Sequence, residues 1–191
     1  MIDYFALLQQ PRRPWLDPEA LKEKYHELTK AAHPDRPSST NSDSDFASIN
    51  EAYRVLLDPK LRLDHLLNLE GIPPISHANV PEQIADIFLE IGTLIQETDH
   101  LLAKSATTTA LSKALLRPEI LEKQNLTGDL LEKLETMYAK AMDELKLLDK
   151  TWASTHKIGA GSLELSALSS RFAYLTRWIA QLQERKFQLS I

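Results

Sequence analysis

Leu28-Thr29-Lys30-Ala31-Ala32-His33-Pro34-Asp35-Arg36 decides how the first third of this chain folds. Pro34 lacks an amide proton and disfavours a helical residue before it, so a helix arriving from the N-terminal side ends at about Ala32. That helix starts at Asp17-Pro18, where an N-cap acceptor precedes a proline at the first helical position. Between these signals Leu21, Tyr25, Leu28 and Ala32 form one apolar stripe. After the proline, Asp45 to Leu57 repeats the pattern with Phe46, Ile49, Tyr53 and Leu56. Two such stripes joined by the polar connection Arg36-Pro37-Ser38-Ser39-Thr40-Asn41-Ser42 predict an antiparallel helical hairpin with Phe46, Tyr25 and Tyr53 packed inside it. His33 and Asp35 then stand at the tip of the hairpin, facing water.

An exposed tip suits binding better than catalysis. A general base needs an orienting partner and a pocket that excludes water, and two groups straddling a proline on a turn have neither. As a recognition element, Asp35 offers a carboxylate that an arginine can grip in a bidentate fork, and Pro34 fixes it at low entropic cost. The plainer reading is a helix stop with two solvated side chains. Lys22, His26 and Lys30 fall four residues apart, on a face of the helix other than the apolar one, and Arg36 adds a charge beside the tip. These side chains form either an electrostatic docking stripe or a solvated face, with Glu23 and Glu27 diluting the charge.

The short opening helix Asp3-Tyr4-Phe5-Ala6-Leu7-Leu8, Tyr25 eight residues before His33-Pro34-Asp35, and Ile49-Asn50-Glu51-Ala52-Tyr53-Arg54-Val55-Leu56 together resemble a J-domain over about residues 1–70. J-domains are the DnaJ-type modules that stimulate ATP hydrolysis by DnaK-type chaperones. Arg62-Leu63-Asp64-His65-Leu66-Leu67-Asn68-Leu69-Glu70-Gly71 is similar to the last J-domain segment of the HscB type, the co-chaperones of iron-sulfur cluster assembly. The resemblance implies a chaperone-binding surface of His33, Pro34, Asp35, Lys22, His26, Lys30 and Arg36, and a C-terminal three-helix domain that holds a cluster scaffold protein. The family's apolar-acidic client patch would fall on Phe88, Leu89 and Glu90, where the Met-Glu element usual in that family is absent.

The rest of the chain bounds these expectations. Residues 1–72 read as the J-domain, 73–80 as a linker around Gly71-Ile72-Pro73-Pro74-Ile75, and 81–191 as a helical client-binding domain. Three apolar faces beyond the linker predict a bundle: Ile84 to Leu102, Leu130 to Trp152, and Leu165, Leu168, Phe172, Leu175, Ile179 and Leu182 in 3-4-3-4-3 spacing. Ala103 to Asn125, interrupted by Pro118, reads as one or two short helices with loops; Tyr174 and Trp178 lie off the seam. The fold class is therefore all-α, a J-domain followed by a three-helix bundle with extra short helices.

Composition excludes several alternatives. With no cysteine, the chain cannot form a disulfide or ligate zinc or an iron-sulfur cluster through thiolates, and its six histidines are not in HExxH spacing. No cofactor and no resident metal are expected. Net charge is −5 and both halves are acidic, which disfavours nucleic acid and membrane surfaces as partners. No apolar run approaches the roughly 20 residues of a membrane span, and the N-terminus lacks a basic leader, so a cytoplasmic location is expected. No GxxxxGK[ST] loop is present, so the chain is expected to regulate an ATPase rather than to be one. The open alternatives are a J-domain co-chaperone for a different client and a scaffolding protein that does not stimulate ATPase.

Overall fold

The structure is a computed structural model, and it describes residues 2–32, 42–72, 82–107, 109–155 and 161–190. Among the described residues every regular element is a helix: α1 Tyr4–Leu7, α2 Pro18–Ala31, α3 Ser42–Leu57, α4 Pro59–Leu69, α5 Glu82–Ala106, α6 Ala110–Thr155 and α7 Ser162–Leu189. The chain forms two compact units, Met1–Ser76 with Asp143–Ser169, and His77–Met142 with Ser170–Ile191. The first unit thus draws in the C-terminal part of α6 and the N-terminal part of α7, beyond the stretch 1–72 marked out by the J-domain pattern.

Local chemistry sets the helix limits in the first unit. Asp17 caps α2 by accepting the Glu19 amide at 3.2 Å, and Asp58 caps α4 by accepting the Leu61 amide at 2.9 Å, each followed by proline at the first helical position. Gly71 ends α4 with φ +71°, and the Ile72 amide reaches back to the Leu67 carbonyl at 2.9 Å. That six-to-one bond over a left-handed glycine is a Schellman closure. Phe5, Leu8, Leu21, Ile49, Ala52, Leu56 and Leu66 bury one another, with Tyr25, Leu28, Tyr53 and Trp152 packed against them. Trp152 comes from α6, so part of this core lies far along the chain.

Two polar fixtures join the same unit. Arg62 is buried and donates to the carbonyls of Pro14 (2.8 Å) and Leu56 (2.5 Å), so its charge is spent on carbonyls that α3 and the loop before α2 leave open. Asp149 of α6, with only 4% of its side chain exposed, accepts a bidentate grip from Arg13 and the Trp15 amide at 3.3 Å.

The second unit contains the bundle. Ile84, Ile87, Ile91 and Leu94 of α5, Leu130, Leu131, Leu134 and Ala141 of α6, and Phe172, Leu175 and Leu182 of α7 are buried. Ion pairs stitch the surface: Lys123 to Glu97 at 2.6 Å, and Arg185 to Asp99 at 2.8 Å.

Two expectations change. Ala103 to Asn125 is not a set of short helices. α5 runs to Ala106, and α6 continues through Pro118 to Thr155. Leu116 and Ile120 on either side of the proline pack with Leu101, Leu102 and Leu189, and this burial outweighs the one helical hydrogen bond that proline forfeits. Phe46 is not core; it is 36% exposed and lies outside the cluster that Ile49, Ala52 and Leu56 of the same helix join. Trp178, off the seam, is nonetheless buried, with its ring 6.1 Å from Phe88 and 5.4 Å from Tyr174.

Candidate functional site

The hairpin fixes one face of α2 toward water. Leu21 is buried and Leu28 packs on the core, so residues on the far side of the helix have no cover. Lys22, His26 and Lys30 are all exposed there, each about 40° from the previous one around the helix. Glu27 pairs with Lys24 at 2.7 Å, and neither Lys22 nor Lys30 forms an ion pair among the described residues. His33, Pro34, Asp35 and Arg36 lie outside the described residues.

Aromatic packing holds this face in place. The Tyr25 and Tyr53 rings stack with centroids 4.1 Å apart, and the Tyr25 hydroxyl donates to the Asn50 amide oxygen at 2.7 Å. This pins α2 to α3 with a satisfied phenol and sets the His26 ring 5.3 Å from Tyr25. The exposed Phe46, near the start of α3, adds an apolar element at the same end of the hairpin as the connecting segment. Its periodicity alone had placed it in the core. A signal was present in its surroundings, because Ser42 to Asp45 offers no other apolar residue to extend the stripe.

On α5, Phe88 and Leu89 are 45% and 74% exposed, while Ile87 and Ile91 beside them are buried. Glu90 is exposed as well and pairs with Lys133 of α6 at 3.0 Å. Phe88, Leu89 and Glu90 therefore form a broad outward strip that spans about 200° around α5, with Phe88 half turned onto Trp178. That strip offers two apolar side chains and one carboxylate already shared with a lysine. Among the described residues no group of three or more His, Cys, Asp and Glu side chains is placed to hold a metal ion, and no helix is long and apolar enough to cross a membrane.

Comparison with known proteins agrees with this geometry. The family model for the DnaJ domain matches residues 3–65. The co-chaperone protein HscB of Proteus mirabilis is 32% identical over 159 residues, covering 79% of this chain and 82% of its own length. The chain belongs to the HscB co-chaperone family. A second HscB homologue, from Shewanella oneidensis, is 29% identical over 78% of this chain and 97% of its own length. The solved structure of the chaperone HscB from Vibrio cholerae aligns over 98% of this chain and 99% of its own, with TM-score 0.64 and 22% identity, and so shares the fold. The chain is thus an all-helical, HscB-type J-domain co-chaperone.

Proposed function

We propose that this co-chaperone docks on an ATP-loaded DnaK-type chaperone through His33, Pro34, Asp35 and Arg36 with the face of Lys22, His26 and Lys30, and accelerates its ATP hydrolysis. The exposed phenyl of Phe46 adds an apolar contact at that end. The bundle meanwhile delivers a client, an iron-sulfur cluster scaffold protein, held against Phe88, Leu89 and Glu90. The chain acts by regulation and carries out no chemistry itself.

The observation that carries this reading is the conjunction of a J-domain match with Lys22, His26 and Lys30 exposed on the outward face of α2, the two lysines without an ion pair among the described residues. Opposite charge on a partner steers the encounter and mainly sets the association rate, so docking weakens as salt shortens the screening length. The experiment is an ATPase assay on a DnaK-type chaperone with purified protein. Wild type stimulates turnover; His33→Gln abolishes stimulation, and Lys22→Glu with Lys30→Glu reduces it several-fold and flattens its salt dependence. Stimulation unchanged in the charge-reversed protein discards the stripe. For the client, Leu89→Arg loses capture of a cluster scaffold protein in pull-down while retaining ATPase stimulation; capture unaffected by Leu89→Arg removes the α5 strip from the reading.

A further inference from the structure

His65 sits in α4 with only 6% of its surface exposed, its ring stacked on Tyr4 (4.6 Å between centroids) and Phe5 (5.7 Å). Its Nε2 accepts the backbone N–H of Tyr4 at 3.1 Å. The first turn of a helix leaves amides without intrahelical partners, and α1 resolves them with two side chains. The Asp3 carboxylate accepts from Phe5 and Ala6 at 3.0 and 3.2 Å, and the imidazole takes Tyr4. Acceptance at Nε2 requires a neutral ring with its proton on Nδ1. A proton on Nε2 replaces the acceptor with a donor facing a donor and puts a cation at a helix N-terminus.

We propose that His65 is a pH-sensitive latch that holds α1 onto α4 while its ring is neutral and releases it on protonation. Two charged groups face the ring from the packed elements: Asp3 from the start of α1, which favours the imidazolium, and Arg12 from the loop after it, which opposes it. Tyr4 contributes its stacked ring. On α4 itself Arg62 is committed to the Pro14 and Leu56 carbonyls, and Asp64 to Lys60 and Ser169. Burial is the largest influence and holds the ring below the ordinary value of 6.5, against the pull of Asp3. The latch is therefore closed above about pH 6.5 and opens below it, as the pH falls through the folded-state value. Opening frees Phe5 and Leu8, both fully buried, from one wall of the hairpin core.

The full-length protein tests this by amide exchange in NMR from pH 7.5 to 5, with intrinsic rates corrected and Leu66 of α4 as the internal reference. The Tyr4 protection factor falls relative to Leu66 as the pH drops, by at most about tenfold for each unit by which the ring is depressed. In His65→Gln the side-chain oxygen accepts the same amide without titrating, so protection stays flat over that range. The wild-type ring supplies a second readout: nitrogen chemical shifts show Nε2 unprotonated at pH 7.5 and titrating below 6.5 in step with Tyr4. Flat Tyr4 protection in wild type, or an Nε2 that titrates at or above 6.5, overturns the latch.

Discussion

Removing the Asp149 carboxylate is the sharpest test of how the first unit is held together. Asp149 accepts two guanidinium bonds from Arg13 and one backbone bond from Trp15, and its side chain is 4% exposed. Breaking a fully buried ion pair costs about 3–5 kcal/mol because the surviving charge is stranded. Here the survivor is Arg13, 40% exposed, which recovers water and lowers that part to about 1–2 kcal/mol. The lost bond to the half-buried Trp15 amide adds about 1 kcal/mol. Asp149→Ala therefore costs about 2–3 kcal/mol, and at about 2–4 °C per kcal/mol for a chain of this size the midpoint falls by roughly 5–10 °C. Urea and thermal unfolding followed by circular dichroism measure it, with Arg13→Ala completing a double-mutant cycle. The coupling between the two positions should be about 1–2 kcal/mol, since they share the bidentate contact. A loss below about 0.5 kcal/mol for Asp149→Ala, or strict additivity with Arg13→Ala, would refute the reasoning.

Three further outcomes follow from named contacts. Asp58→Ala removes the acceptor for the Leu61 amide and should cost about 1 kcal/mol in urea unfolding. Pro118→Ala restores an amide to the interior of α6 and should stabilise the protein by about 1–3 kcal/mol; a loss of stability would mean that the ring itself packs against something essential. Burial pushes the Asp3 carboxyl up, but the Arg12 hydrogen bond, the amides of Ala6 and Phe5 and the Arg12 charge together hold it below the usual 3.8. A depressed acid contributes stability that is complete above the unfolded value and lost as the pH falls through the folded one. Asp3→Asn should therefore flatten the acid limb of the stability profile below about pH 4.

The parts of this fold governed by neighbours in sequence were readable before any coordinates. Asp17-Pro18, Asp58-Pro59 and Gly71 carry their own boundary chemistry, and α2, α3 and α4 begin and end within a few residues of those signals. The face of Lys22, His26 and Lys30 was equally legible, because i, i+4 spacing fixes angular position on any helix. What failed depended on partners distant in the chain. Pro118 looks like a break until Leu101 and Leu189 are brought against Leu116, and Phe46 fits the stripe of α3 by spacing yet stays exposed. Trp178 sits off the heptad seam, and while its neighbour Tyr174 is announced by i, i+4 spacing on α7, its contact with Phe88 of α5 is not. The pairing of Glu90 with Lys133 is likewise invisible in sequence, since it depends on the packing of α6 beside α5.

α6 contributes to both compact units, and Trp152 and Asp149 of that helix complete a core that the first 76 residues begin. A graft that exchanges only the N-terminal module for one from another protein would therefore strand a tryptophan and a carboxylate on the recipient. Chimeras of this protein should carry the Asp143–Ser169 stretch along with the module, and natural recombination at the proline-rich junction after Gly71 would meet the same obstacle.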